Sequence, residues 1–439
     1  MKILVIGSGG REHALAWKLA RSPQVTQMWC APGNAGISLE RLVKNSALVE
    51  CVQIKADDKP RLRVFAKRNK VDLTVVGPDN PLADGIVDFF EDKDRNFVNG
   101  GLRIWGPNQE AARFEWSKSF SQSFMEKHGI PTARSGTFTD PTTAKRFAAE
   151  LKGRCVVKAD GLALGKGVFI PENLKWAEQA IDDMLVRGGF NNAGKPIVIQ
   201  EFLEGVEISL HAICDGKTAK LFPTSQDHKR AHDGDTGLNT GGMGTYSPTP
   251  FLNDQQLEEV GKQILDPWLK GCAEEGIDFR GIIYPGVMLT KHGPKVLEFN
   301  ARFGDPEAQV YLPRLENDLV DLFNASIDGK LDKMELRWSR DHSVCVVMAA
   351  GDYPSASSKG EPITGLEEAV EFSNVKVFHA GTALQGDKIV TNGGRILGVT
   401  AWAKDLCDAR DAAYAAVEKI YFNNKHLHFR RDIASKALC

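Results

Sequence analysis

Lys295-Val296-Leu297-Glu298-Phe299-Asn300-Ala301-Arg302-Phe303-Gly304-Asp305-Pro306-Glu307-Ala308-Gln309 reads as a short apolar strand running into a crowded polar turn. Side chains on a strand alternate between faces, so Glu298 and Asn300, two apart, point to the same side. A carboxylate beside an amide oxygen suits a hard cation such as Mg²⁺, which takes further oxygens from water and from nucleotide phosphates. Glu-x-Asn alone is a weak pattern and is about as often a solvated strand end. The argument for a site rests on the whole segment, because Arg302, Asp305 and Glu307 crowd into the turn with Phe303, Gly304 and Pro306.

A chain of 439 residues is too long for one compact core, and its length predicts two to four domains. A formal net charge of −2 supplies no general basic field, so neither nucleic acid nor an anionic membrane is an expected partner. No apolar run approaches the ~20 residues of a membrane span. Met1–Gly7 reads as a first strand rather than a signal peptide. The eight cysteines are scattered without metal-ligand spacing, which fits reduced thiols in a cytoplasmic protein.

From residue 1 to about 105, apolar strands (2–6, 26–31, 73–76, 103–105) alternate with helical stretches, the pattern of a parallel, doubly wound sheet. Ligands on such sheets bind beyond the carboxyl ends of the strands. There the chain carries Gly7-Ser8-Gly9-Gly10, Pro32-Gly33-Asn34-Ala35-Gly36 and Gly77-Pro78-Asp79-Asn80-Pro81. A dinucleotide fingerprint needs a third glycine at position 12, which is Glu12, so NAD binding is rejected. Backbone N–H groups at the helix start can still hold a phosphate.

A helix is expected over 109–129. Residues 135–190 read as a small α/β unit whose strand 155–158 enters the glycine-rich segment 159–168 and resumes as a strand. That order makes a flap over phosphates rather than a P-loop. Residues 225–244 pass with almost no apolar side chain, which predicts a long functional loop that contributes little core. Residues 331–439 read as a last α/β unit without a catalytic constellation, its histidines structural or solvated.

Several segments in this order resemble the ATP-grasp ligases, and among them the phosphoribosylamine–glycine ligase family. They are residues 5–14, 31–36, 157–163, 225–229, Asn239-Thr240-Gly241-Gly242-Met243-Gly244 and Arg302-Phe303-Gly304-Asp305-Pro306-Glu307. The chain departs from the family pattern at Trp116, Leu164 and Leu238, none of which removes a polar group. The resemblance implies an α/β multidomain ATP-grasp ligase. Its parts are an N-terminal parallel doubly wound domain (1–105), a central ATP-grasp domain (106–134 and 191–330), a flap-bearing subdomain (135–190) and a C-terminal α/β domain (331–439).

It also implies ATP-dependent joining of glycine to 5-phosphoribosylamine through glycyl phosphate, by a cytoplasmic monomer. Glu298 and Asn300 are then expected to hold Mg²⁺ or Mn²⁺. Lys118 and Lys158 are expected on phosphate or adenine, Gly165 and Lys166 in the closing flap, Glu201 and Leu203 at adenine through their backbone, and Glu207 on the ribose. Arg302 is the candidate for the acyl phosphate or the glycine carboxylate, and Asp227 for the glycine ammonium or the phosphoribosylamine amine. Gly9, Gly10, Asn34, Gly36 and Asp79 are expected at the ribose phosphate, and Asn239, Thr240, Gly241 and Gly242 close to the intermediate. A related ligase with another acid or amine, and a nucleotide-binding regulator without turnover, are the competing expectations.

Overall fold

The computed structural model describes residues 1–92, 101–162, 167–189, 196–423 and 427–438. Its N-terminal sheet is all parallel. The strand Lys2–Gly7 lies between Gln27–Pro32 and Leu73–Val76, with Glu50–Cys51 and Ile104–Trp105 at the edges. Ile3, Leu4, Val5 and Ile6 are all fully buried, as a parallel sheet covered on both faces requires. The strand order reverses beside Lys2–Gly7, so a crevice opens beyond the ends of Gly7 and Val76, where such sheets take ligands.

A four-stranded antiparallel sheet follows, in the order Ser135–Phe138, Ile197–Glu201, Cys155–Ala159, Val168–Phe169. The strand Ile197–Glu201 lies after residue 190, yet it shares this sheet rather than that of the strands after it. Ile197, Ile199 and Val157 face the helices Pro141–Glu150 and Leu174–Leu185, packing on Ala144, Ala148, Ala177 and Ile181. The alternate residues Lys158, Val198 and Gln200 are thereby turned toward the opposite face.

Beyond it, Arg280–Thr290 pairs with Val206–Ser209, Ala212–Asp215 and Gly293–Asn300. The long helix Asp254–Glu275 brings Trp268 into an aromatic cluster. Its ring centroid lies 5.0 Å from that of Phe279 and 5.6 Å from that of Phe114.

Two sequence expectations are corrected. The helix expected over 109–129 is two helices, Gln109–Trp116 and Lys118–Lys127. Ser117 leaves helical geometry (φ −123°, ψ 100°), ends the first helix, and caps the second by accepting from the Phe120 N–H. Residues 225–244 are not a coreless loop. Gln226–Asp227 pairs with Gly244–Ser247, which pairs with His342–Ala349 of the C-terminal sheet. His228, Ala231, Met243 and Tyr246 are buried there. Hydrophobic patterning misses the segment because its strands are two to four residues long and bury polar side chains that find partners. Tyr246, for example, donates to Gln226 Oε1 at 2.8 Å.

Trp268 is fully buried among aromatic rings. Trp268→Ala is expected to lower the free energy of unfolding by about 3–5 kcal/mol. Denaturant unfolding checks this, and a loss under 1 kcal/mol (roughly, on the same scale) would show that the site collapses to fill the void.

Candidate active site

Two cavities, about 430 Å³ and about 640 Å³, meet where the four-stranded sheet faces the strand Gly293–Asn300. They share a wall that includes Lys158, Gln200, Asp227, Lys229, Thr240 and Glu298. Lys158 is held in that wall by donating to the Leu297 carbonyl at 2.9 Å, with Glu298 3.9 Å away. Burial pushes its amine down to about 8; Glu298 opposes the fall, and Lys118 and Lys229 add to it. Burial disfavours the Glu298 carboxylate, but Lys158, Lys229 and Lys118 outweigh it and hold the carboxyl at about 2. Burial likewise opposes the Lys229 charge, yet Glu207, with which it forms an ion pair, raises its pKa overall.

Glu298 and Asn300 line the smaller cavity together, as the period-two argument requires. Asn300 Oδ1 accepts from Arg302 Nη2 at a long 3.2 Å. Arg302 forms an ion pair with Glu115 at 2.7 Å, and the other oxygen of Glu115 accepts from the Ala301 N–H at 2.8 Å. Burial opposes the Arg302 charge, but Glu115 and Asp79 raise its pKa overall. Its buried Nε has no partner among the described residues.

Asp227 is pushed well above the ordinary carboxylate range by burial and then by the Glu307 carboxylate. Glu307 accepts from Tyr284 at 2.6 Å and from Ser209 at 3.0 Å. Gly242 has φ +107°, and a Cβ there would stand 2.5 Å from Pro306 Cδ and 2.7 Å from Asp227 Oδ1. Only glycine allows this close approach.

The structure brings Lys118, Lys158, Asp79, Asp227, Arg302 and the Glu298–Asn300 pair to the smaller cavity, with Thr240 and Gly241. Glu201, Leu203, Glu207 and Asn239 line the larger one. The Glu201 carboxylate is already used, accepting from the Arg134 N–H and from Lys295, both at 2.9 Å. Gly165 and Lys166 lie outside the described residues.

The helix start is not a free anion site. Gly9 N–H donates to Glu12 Oε2 at 2.6 Å, and the Asp305 carboxylate faces Gly9 and Gly10 and accepts from the Arg11 N–H. Glu12 fills the space against Gly7 and Gly77, where a side chain would be 2.2–2.3 Å from it. A dinucleotide would need that space. Asn34 and Gly36 stand behind this edge. Asn34 donates to the Ser8 and His379 carbonyls at 2.8 Å and accepts from the Ile37 N–H, and Gly36 packs on His13 and His379.

Sequence reasoning missed Glu115, Tyr284, Tyr353 and Arg395 as lining residues. The C-terminal unit, read as lacking any constellation, is corrected by the last two. Arg395 pairs with Asp305 at 3.1 Å and donates to the Gly241 carbonyl, and the Tyr353 hydroxyl accepts from the Gly241 N–H at 3.0 Å. No local motif marks either residue; Gly393-Gly394-Arg395 at a strand start was the one available cue.

Family models of phosphoribosylglycinamide synthetase match the chain in three parts: the N domain over 1–115, the ATP-grasp (A) domain over 116–308 and the C domain over 343–436. The chain is 46% identical over 439 residues to phosphoribosylamine–glycine ligases of Vibrio cholerae and Ralstonia nicotianae. The match covers all of this chain and 99% and 100% of theirs. A crystal structure of the Thermotoga maritima phosphoribosylamine–glycine ligase superposes with a TM-score of 0.80 at 32% identity, covering 99% of this chain and 100% of that one. A biotin carboxylase domain from Hydrogenobacter thermophilus shares the fold at 17% identity, with a TM-score of 0.72 and coverage of 98% and 91%.

Glu298 is the stronger of two carboxylates, with Glu207, that sustain the Lys158 charge against burial. Glu298→Ala is therefore expected to move the Lys158 midpoint further below its starting value of about 8. Carbon-labelled lysine NMR across a pH series reads this, and an unmoved midpoint would mean that another group stabilises the amine.

Proposed function

The chain belongs to the phosphoribosylglycinamide synthetase family, and on that premise we propose that its two joined cavities hold ATP and the substrates of an ATP-dependent ligase that joins glycine to 5-phosphoribosylamine. The observation that carries this reading is the shared wall. A buried lysine, Lys158, a half-exposed one, Lys229, and a carboxylate held ionised stand where a nucleotide in the larger cavity meets substrates in the smaller one.

A free carboxylate is a poor acyl donor. In the proposed sequence a glycine carboxylate oxygen attacks the γ-phosphorus of ATP, the bridging P–O bond breaks, and ADP leaves. The nitrogen of phosphoribosylamine then attacks the acyl carbon of glycyl phosphate. The C–O bond to phosphate breaks, the nitrogen loses a proton, and glycinamide ribonucleotide and phosphate remain. The protein's part is positioning and charge neutralisation.

Lys118, Lys158 and Lys229 neutralise phosphate oxygens as they pass from nucleotide to substrate, with Lys166 assigned to the flap. Glu201 and Leu203 present backbone to adenine, and Glu207 meets the ribose. Arg302, with Nε unspent, takes the acyl phosphate or the glycine carboxylate. Asp227 holds the substrate amine, and its raised pKa makes it a better proton acceptor than an ordinary aspartate. Thr240, Gly241 and Gly242 approach the intermediate through backbone. Gly9, Gly10 and Asp79 border the sugar of the acceptor, with Asn34 and Gly36 supporting that edge from behind.

Among the described residues, six cationic and six carboxylate side chains line the smaller cavity, so its wall has no formal positive surplus for a polyphosphate. The Glu298 and Asn300 oxygens fit a divalent ion, because Glu298 is held ionised and the bond from Arg302 to Asn300 is long enough to yield. Mg²⁺ or Mn²⁺ bound there supplies neutralisation of phosphate charge. Among the described residues no helix is long and apolar enough to cross a membrane, and the described cysteines are free thiols. The free thiols support a cytoplasmic enzyme, and we infer that it acts as a monomer.

Phosphate release from ATP is expected to require Mg²⁺, glycine and freshly generated 5-phosphoribosylamine together, with glycinamide ribonucleotide seen by mass spectrometry. Release with another acid or amine instead would overturn the substrate assignment. Glu298→Ala is expected to abolish turnover with an unchanged melting curve. In the free enzyme Lys158 loses its charge as pH rises through about 8. Accordingly kcat/KM for ATP should fall above that pH, and Lys158→Arg, which stays charged, should remove the fall. A flat wild-type profile to pH ~9 would refute the assignment of that lysine to phosphate.

A further inference from the structure

The C-terminal tail closes over a hairpin that borders the larger cavity and whose flanking residues, Lys229 and Thr240, line both. Its strands are Arg230–His232 and Thr236–Asn239. Residues 232–238 are all exposed, and the apex residues Gly234 and Asp235 both have positive φ, +68° and +55°. Apolar packing therefore cannot hold this apex in place. The tail does so with polar contacts, and the hub is Arg430, whose side chain is wholly buried.

The Arg430 guanidinium grips both oxygens of Asp432, at 2.7 and 2.6 Å. It also donates to Asp235 Oδ1 at 2.9 Å and to the Arg230 carbonyl at 3.2 Å, reaching both sides of the hairpin. Around it the Gly234 N–H donates to Asp432 at 2.9 Å, and the Arg431 N–H to Asp233 at 2.8 Å. Tyr414 fixes the tail from behind, donating to the Arg430 carbonyl at 2.8 Å and accepting from the Ile433 N–H at 3.1 Å. A forked, always-charged side chain suits this multiple grip as lysine cannot.

What the hairpin carries gives the grip its use. Lys229 immediately precedes it and Thr240-Gly241 follow it. The Thr240 N–H donates to the Lys229 carbonyl at 2.8 Å, which ties the two flanks together at the shared wall. Arg230, Asp235 and Asn239 line the larger cavity, and so does Lys436 of the tail, which pairs with Asp235.

We propose that Arg430 is a positioning residue for the ligase, fixing the 230–239 hairpin so that Lys229 and Thr240-Gly241 stand correctly between nucleotide and substrate. The inference rests on the assignment of the larger cavity to ATP. It makes the tail part of the nucleotide site, although none of the tail's described residues is assigned to the reacting atoms.

The test compares Arg430→Lys, Arg430→Met and Asp235→Asn in the full chain. Asp235→Asn leaves the Arg430–Asp432 pair intact and keeps the experiment decisive if Arg430→Met fails to fold. The expected result is faster hydrogen exchange over 230–242 and a rise of roughly tenfold in KM for ATP, with a smaller change in kcat. Arg430→Lys should recover part of the loss. Unchanged KM and exchange in Asp235→Asn and Arg430→Lys, with only melting temperature lowered, would overturn the proposal and leave the contact purely structural. Calorimetric binding of a non-hydrolysable ATP analogue needs no turnover. It separates failure of this inference, where wild type and variants bind alike, from failure of the ligase reading, where the analogue binds but no product forms.

Discussion

The Asp305 carboxylate is the point at which three parts of the chain depend on one another. It accepts from Arg395 of the C-terminal sheet at 3.1 Å, from Gln309 at 2.8 Å, and from the Arg11 N–H at the start of the helix Gly10–Ala20. Burial disfavours this carboxylate, but Arg395 and Arg11 outweigh the penalty and keep its pKa low. A buried charge that lost one such partner would cost several kcal/mol (roughly 3–5). The N-terminal sheet, the central turn and the C-terminal sheet are thus obliged to meet at one place. The smaller cavity is the space that meeting leaves open.

How much of this was legible in the sequence depends on range. The strand carrying Glu298 and Asn300 could be read because period-two alternation is local and survives in the fold. The parallel N-terminal sheet could be read because uninterrupted apolar runs announce strands covered on both faces. Arg395 could not, because its partners Asp305 and Gly241 are 90 and 154 residues away and no local rule links them. Glu115 was hidden in the same way: its role is set by Arg302, far along the chain.

Burial also changes the meaning of residues that the sequence singles out. The glycines at the first helix mark a close approach, but the anions they approach are Glu12 and Asp305 of the protein itself. Asn34 spends its amide on the backbone of two segments rather than on open space. A single residue type at a turn signals proximity to something; the folded chain decides to what.

The strand Gly244–Ser247, in the middle of the sequence, is hydrogen-bonded to His342–Ala349 on one side and Gln226–Asp227 on the other. Sequence order and spatial order therefore disagree about where the C-terminal part begins. A fragment cut near residue 330 would strip one neighbour from Gly244–Ser247 and leave a raw edge of unpaired amides, inviting aggregation. Its complement would lose the strand that borders its own sheet. The chain is interlaced rather than modular, and grafting its C-terminal part onto a related scaffold would have to carry residues 226–247 along with it.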